Sequence, residues 1–434
     1  METERYALAQ RVAAGAHRIA DPQAQACRQQ DATESHTRSA VALSVLLSAL
    51  VLRLALAPLS EGWDFLAYSR LVQFTLHGHD VYTVSPHFLQ VVVKALPWSY
   101  SPLCLNMFVS LGWVVAHTGW SFRIVGKLPT IAADVGVGWL LYLALRRRGQ
   151  SARVSTLGMA LYLFNPLVLL SGAFLGRFDA IALVFLLLAL ESKGWFAPAY
   201  ALGVAAKTFP IFLLPLLALG RDRRPWRHLV LACILVPVCA VPYSITEPWR
   251  VLHYLVRNNT ISVSPFGLGR LSWYLLLFQN HWLSMAQINV LARIATLLFP
   301  VALLLAVQKP LYVKGAFCFT LFLVVNRTVY EQYLLWPLPF LIVMGLCYRS
   351  RLALGLMAFY TVAGMLENEQ TDIPNDSHFY YSLLPTPWLP LNLALAIATL
   401  VFLGAQVLPR RARWETRRWA LPALRAPGGK GTRS

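Results

Sequence analysis

Charge is what this sequence has least of. Only 13% of its 434 residues are Asp, Glu, Lys or Arg, against roughly 25% in an ordinary soluble domain. With 57% hydrophobic residues and a mean hydropathy of +0.54, this excludes a string of water-soluble domains. Acids are scarcer still, 19 against 38 Lys and Arg, which leaves a net charge of +19. No RNA- or DNA-binding motif accompanies that charge, so nucleic acid is not the expected partner. The six cysteines form no CxxC and no ligand-spaced set, which removes thiolate metal sites. Most lie in apolar runs, where free Cys behaves as a small hydrophobe, and they leave the redox compartment open. The halves show no internal repeat. No cleavable signal peptide is visible, and residues 1–38 are polar, with Arg5, Arg11, Arg18 and Arg28 scattered among Ala, Gln and acids. They read as a cytoplasmic tail before a signal-anchor span.

Long apolar runs fill the rest. Val41–Leu52, Ile181–Leu190 and Leu297–Val307 are examples, and about 20 such residues cross a hydrocarbon core of roughly 30 Å. The chain therefore reads as an all-α polytopic membrane protein, with a membrane domain over 39–408 and a basic cytoplasmic tail over 409–434. The first span is expected over Ser39–Leu59 and the next over Val125–Leu145, with Ser101–His117 re-entrant or interfacial between them. Further spans are expected over 154–172, 178–191, 195–219, 228–246, 286–307, 312–326, 332–348, 352–366 and 388–408. Basic clusters at Arg146–Arg148 with Arg153, Arg221–Arg227, Arg349 with Arg351, and Arg410–Arg433 flank these runs, the pattern that marks cytoplasmic ends. Clusters beside spans also suit anionic lipid headgroups. One span over Trp195–Leu219 would put Arg221–Arg227 outside. Pro210 breaks that run after Lys207, so it reads as two half-helices with both outer ends cytoplasmic. The outer loops are then 60–100, 173–178, 247–285 and 367–387.

Ionised groups at membrane depth cost a few kcal/mol or more each and are functional candidates by default. Here they are Lys127, Asp134, Arg177, Asp179, Lys207, Arg327 and Glu331. Several fall at outer span ends and would edge one outward-facing cavity. The plainer reading pairs Arg177 with Asp179 and Arg327 with Glu331 as structural ion pairs, and takes Asp134 as structural. The first outer loop, the longest polar-aromatic stretch, carries Glu61-Gly62-Trp63-Asp64-Phe65. An acid just past the first span, among aromatics, is placed to take a proton from a substrate hydroxyl; the plainer reading is an acid solvated in a loop. His77-Gly78-His79-Asp80 reads either as a divalent-metal site or, preferably, as a polar turn at Gly78.

Six stretches in order carry a resemblance. They are Trp63-Asp64-Phe65 with Tyr82 and Tyr100-Ser101-Pro102-Leu103; Gly126-Lys127-Leu128 to Asp134 with Leu141-Tyr142; Asn165-Pro166-Leu167 with Gly176-Arg177-Phe178-Asp179-Ala180; Lys207-Thr208-Phe209-Pro210; Asn258-Asn259 to Ser264-Pro265-Phe266-Gly267; and Asn326-Arg327 with Glu331-Gln332-Tyr333-Leu334-Leu335-Trp336. Together, over about residues 60–345, the chain resembles the GT-C membrane glycosyltransferases. It is most similar to the polyprenyl- or dolichyl-phosphate-mannose-dependent mannosyltransferases, including the first mannosyltransferase of GPI-anchor assembly and its bacterial relatives. Two positions depart from that pattern: Gly62 breaks the paired-acid motif of the first loop, leaving Glu61 and Asp64, and Arg177 stands where bacterial relatives commonly carry Gln.

The resemblance implies 10–13 transmembrane helices with a re-entrant or interfacial segment and a long first extracytoplasmic loop. It implies inverting transfer of a sugar, mannose by resemblance, from a lipid-phosphate donor to the hydroxyl of a glycolipid, glycan or protein. Asp64 would be the general base and Asp179 a second catalytic acid. Lys207, Arg177, Arg327, Arg257 and Arg270 would bind the donor phosphate; Glu61, Tyr68, His79, Asp80, Tyr100 and Glu331 would line the substrate site. It fixes no cofactor, a divalent metal (Mg or Mn) has a place in such a reaction, and a small membrane subunit is a conceivable partner. The expected location is a prokaryotic cytoplasmic membrane rather than the endoplasmic reticulum. Two other readings stand beside this one. A transporter or flippase also suits many spans, buried charges and broken helices; a partner subunit that kept the fold and lost the site is the other.

Overall fold

The computed structural model describes residues 40–84, 88–89, 92–93, 98, 102–192, 194–219, 226–238, 271–368 and 388–407. Arg257, Arg270, Tyr100, both expected tails, the Asn258–Gly267 stretch and the acidic loop after Glu367 lie outside them, as does the basic run Arg221–Arg224. The described residues are built from helices, with no strand among them. In chain order the helices are α1 (Ala40–Leu56), α2 (Trp63–Leu76), α3 (Pro102–Thr118), α4 (Leu128–Arg147), α5 (Ala152–Leu163), α6 (Pro166–Phe174), α7 (Asp179–Glu191) and α8 (Phe196–Ala206). There follow α9 (Phe209–Leu219), α10 (Trp226–Val238), α11 (Trp273–Gln279), α12 (Met285–Leu303), α13 (Leu311–Val325), α14 (Glu331–Cys347), α15 (Arg351–Asn368) and α16 (Trp388–Val407).

Among the described residues, two stretches are long and apolar enough to cross a membrane alone: Phe122–Arg147, which contains α4, and Met285–Ala306, which contains α12. The bent pair α5–α6 makes a third if it is one span. Most of the remaining apolar helices are 10–17 residues long, and their breaks have local causes. Pro166 ends α5, and the preceding Asn165 starts α6 by accepting hydrogen bonds from Leu167 N (3.0 Å) and Val168 N (3.4 Å); the two axes differ by 47°. The last six residues of α6, Leu169–Phe174, form a π-helix, a geometry frequent at functional sites. Helix α8 stops where Lys207 turns extended (φ −154°, ψ 136°), and Phe209–Leu213 resume as a 3-10 turn. The Tyr200 hydroxyl donates to Pro210 O at 2.6 Å and ties the two limbs together. Near the start of α10, His228 stacks on Phe196 at the start of α8. The chain between them thus leaves one end of the bundle, turns near Lys207, and comes back.

The region after the first span is not all loop: residues 63–76 form α2, and Asp64 sits in its first turn. Its buried face, Phe65, Ala67, Tyr68, Leu71 and Val72, repeats at helical spacing, which pulls the segment onto the bundle.

The two ends of the bundle differ chemically. Where α4 ends and α7 ends, Arg147 and Arg148 both pair with Glu191 (3.3 and 2.9 Å), and Tyr312 donates to the same carboxylate at 2.9 Å. At the other end, the starts of α2, α7 and α14 and the end of α8 bring acids and bases together around a shell of aromatic rings.

Candidate functional site

The site begins at a turn. Gly176, at φ +79°, follows α6, and a Cβ there would lie 2.4 Å from the Phe65 ring; only glycine fits both demands. Arg177 N then donates to Ser171 O at 2.9 Å, which fixes the direction in which Arg177 leaves. Across the turn, Gly62 N donates to Leu175 O at 3.0 Å. A side chain at Gly62 would press on Leu175 at 3.1 Å. These two close approaches hold the start of α2 against the start of α7.

Arg177 lies between two acids. Its Nε is 3.5 Å from Asp64 Oδ2, and its Nη1 contacts Glu331 Oε1. A second ionic group lies beside it. Lys207 Nζ donates to both oxygens of Asp179 at 2.8 Å, and the Trp336 indole N–H donates to Asp179 Oδ1 at 2.7 Å. Lys207 also lies 5.2 Å from the centre of the Phe178 ring. Aromatic residues wall the group: Trp98 stacks on Phe178 at 5.8 Å, Tyr68 meets both edge-on at 5.3 Å, and Trp336 stacks on Phe209 at 4.1 Å. Exposure separates the three acids. The side chains of Asp179 and Glu331 are each 1% exposed, whereas Asp64 is 25% exposed. Asp64 is therefore the carboxylate of this set that a molecule from outside can reach. The first-turn N–H groups of α2 and the Arg177 guanidinium surround it with positive potential.

The ion pairs expected from sequence are exchanged. Arg177 pairs with Asp64 and Glu331 rather than Asp179, because residues two apart at a helix start do not face each other. Arg327 does not pair with Glu331 either. Asn326 and Tyr330 are both extended, so the four-residue step between Arg327 and Glu331 is not a helical turn. Arg327 instead donates to Asn289 Oδ1 at 2.6 Å. Burial, and then the charge of Arg293, push its guanidinium below the usual arginine range.

The other described candidates, Tyr68 in the aromatic wall aside, lie apart. Glu61 pairs at the surface with Arg123 at 2.9 Å. Tyr68 is buried among the rings. The His77 ring bonds to Gln73 O, His79 stacks on Phe74, and Asp80 accepts from Tyr82 N at 2.8 Å. With Gly78 at φ +84° this is the polar turn. Among the described residues no group of three or more His, Cys, Asp or Glu is placed to hold a metal ion.

Two residues were given no role in the sequence reading, Trp336 within the quoted Glu331–Trp336 stretch and Arg53 within the first span. Trp336 lies in a stretch whose indole N–H needs a partner once buried, and that partner is Asp179. Arg53, fully buried within α1, pairs with Asp134 at 3.4 Å, and Tyr162 donates to the other Asp134 oxygen at 3.1 Å. A charge inside an apolar run was the available signal. Comparison with known proteins adds no assignment: no family model matches the chain, and no curated protein matches it.

Proposed function

We propose that this chain is a multi-pass GT-C-type membrane glycosyltransferase of 10–13 spans. It moves a sugar, mannose by resemblance, from a polyprenyl- or dolichyl-phosphate donor to an acceptor hydroxyl at the extracytoplasmic face of a prokaryotic cytoplasmic membrane. The observation that carries this reading is the meeting of Asp64, Arg177, Glu331, Asp179 and Lys207 at the bundle end opposite Arg147 and Arg148, with Asp64 the accessible acid. The basic end is the cytoplasmic one by charge bias, so the acidic and aromatic end faces out.

In the reaction an Asp64 oxygen takes the proton of the acceptor hydroxyl. The acceptor oxygen then forms its bond to the anomeric carbon from the face opposite the phosphate. That carbon passes through an oxocarbenium-like state. The bond to the phosphate oxygen breaks, and the lipid phosphate leaves with the electron pair. It is already an anion, so it needs donors and positive charge more than a general acid. Arg177 supplies these beside Asp64, and Lys207 and Arg327 are the further cations proposed for the phosphate. A guanidinium, with five donors in a fixed fork, serves a carboxylate and a phosphate together. Asp179 holds Lys207 in place, and no step runs through a metal.

The test is a transfer assay in membranes containing the protein, with a panel of polyprenyl-phosphate sugars and mass spectrometry of the product. Sugar joined to an acceptor, and lost when Asp64→Asn is introduced, supports the proposal. The buried ion pairs and broken helices also suit a transporter. Movement of lipid-linked or free solute with no covalent change would establish that reading instead.

A further inference from the structure

Lys127 stands at the start of α4 with no exposed surface, yet it is bound to no carboxylate. Its ammonium donates to three backbone carbonyls: Ala57 O at 2.8 Å, Phe174 O at 2.6 Å, and Ser60 O. An ammonium has three N–H groups, and three carbonyls take them. Its cationic end also lies 5.5 Å from the centre of the Phe65 ring. The three carbonyls come from two separate places in the chain. Ala57 and Ser60 lead from α1 into α2, four residues before Asp64 in the case of Ser60. Phe174 ends the π-helix, three residues before Arg177.

We infer that Lys127 is a positioning residue, the clamp that sets Asp64 and Arg177 at their mutual distance. Two observations support a positioning role over simple packing. Buried carbonyls need a donor, and one lysine satisfies a set drawn from both segments of the site. The same junction is closed a second time, independently, by the Gly62 N to Leu175 O bond. Lys127 touches no reacting group. It acts through Asp64, and to that extent the inference rests on the proposed function.

The experiment replaces the ammonium with an apolar side chain of similar length, Lys127→Met, in the full chain in membranes. Two readouts are taken. In the transfer assay, kcat falls at least about tenfold while the apparent KM for lipid donor stays within about twofold, as when geometry near the reacting atoms is lost but binding is kept. In hydrogen exchange followed by mass spectrometry, amides over 62–66 and 174–178 exchange at least about tenfold faster, while those over 338–347 keep their protection, because the opening is local. A folded Lys127→Met protein with wild-type kcat, or with unchanged exchange in both segments, overturns the inference. If that variant does not accumulate, Lys127→Gln, which keeps two N–H donors, is measured in the same way, and wild-type kcat with unchanged exchange in both segments there overturns it equally. If wild-type membranes transfer no sugar, the proposed function fails while the exchange measurement still decides whether Lys127 clamps the two segments.

Discussion

Five side chains carry the chemistry we propose, and they hold one another: Arg177 pairs with Asp64 and Glu331, and Lys207 with Asp179. Asp64 is reachable, so removing its charge and leaving its shape tests it most directly. Asp64→Asn is expected to lower transfer by at least about 10²-fold, the lower bound for a general base, with the amount of protein in the membrane unchanged. Wild-type transfer by that variant removes Asp64 from the mechanism. Lys207 behaves differently because it is also structural. Lys207→Ala leaves Asp179 charged and buried with only the Trp336 indole N–H against it, a loss of about 3–5 kcal/mol. The folded fraction is expected to need more lipid donor for half-maximal rate. Adding Asp179→Asn is expected to restore thermal stability without restoring transfer; recovery of both would make the pair purely structural. The chemistry-bearing side chains were legible in the sequence because charge is costly in an apolar chain. Their partners were not. Arg177 is two residues from Asp179 yet bonds to Asp64 and Glu331, more than a hundred positions away in each direction, because the turn at Gly176 and the start of α7 send neighbouring side chains apart.

Among the elements, the breaks in helices do the positioning. Asn165-Pro166 and Lys207 to Pro210 were visible as interruptions, since proline cannot continue a helix and Asn caps one. The π-helix over Leu169–Phe174 was not visible, because nothing in Leu-Leu-Ser-Gly-Ala-Phe distinguishes it from an ordinary turn. Its exit at Gly176 gives a sharp test. Gly176→Ala places a methyl group 2.4 Å from the Phe65 ring in a left-handed backbone. We expect transfer to fall and the yield of folded protein to drop, and a wild-type yield with wild-type transfer would mean that the turn is adjustable. The pairing of α1 with α4 is a separate matter. Asp134→Leu alone leaves Arg53 charged and fully buried, at about 3–5 kcal/mol. Arg53→Met together with Asp134→Leu is expected to recover most of the lost thermal stability. If the double variant is no better than the single, the pair is doing more than neutralising itself.

For the whole molecule, the decisive quantity is sidedness. Asp64→Cys in intact cells is expected to react with a membrane-impermeant thiol reagent added from outside, and a single cysteine placed at Gln150 only after permeabilisation. The reverse pattern would place the site on the cytosolic side, where the lipid-borne donor cannot be used as proposed. Composition and the spacing of apolar runs determined on their own that the chain is helical and apolar enough for a membrane. They also marked one group of ends as basic, because hydropathy and charge bias are sums over local residues. What only the tertiary structure decided is which charges meet. Asp64 next to Arg177, Asp179 bonded to Trp336 and Lys127 across two loops are contacts between segments distant in the sequence. Such contacts depend on how broken helices pack against one another, and no local pattern of residues encodes that.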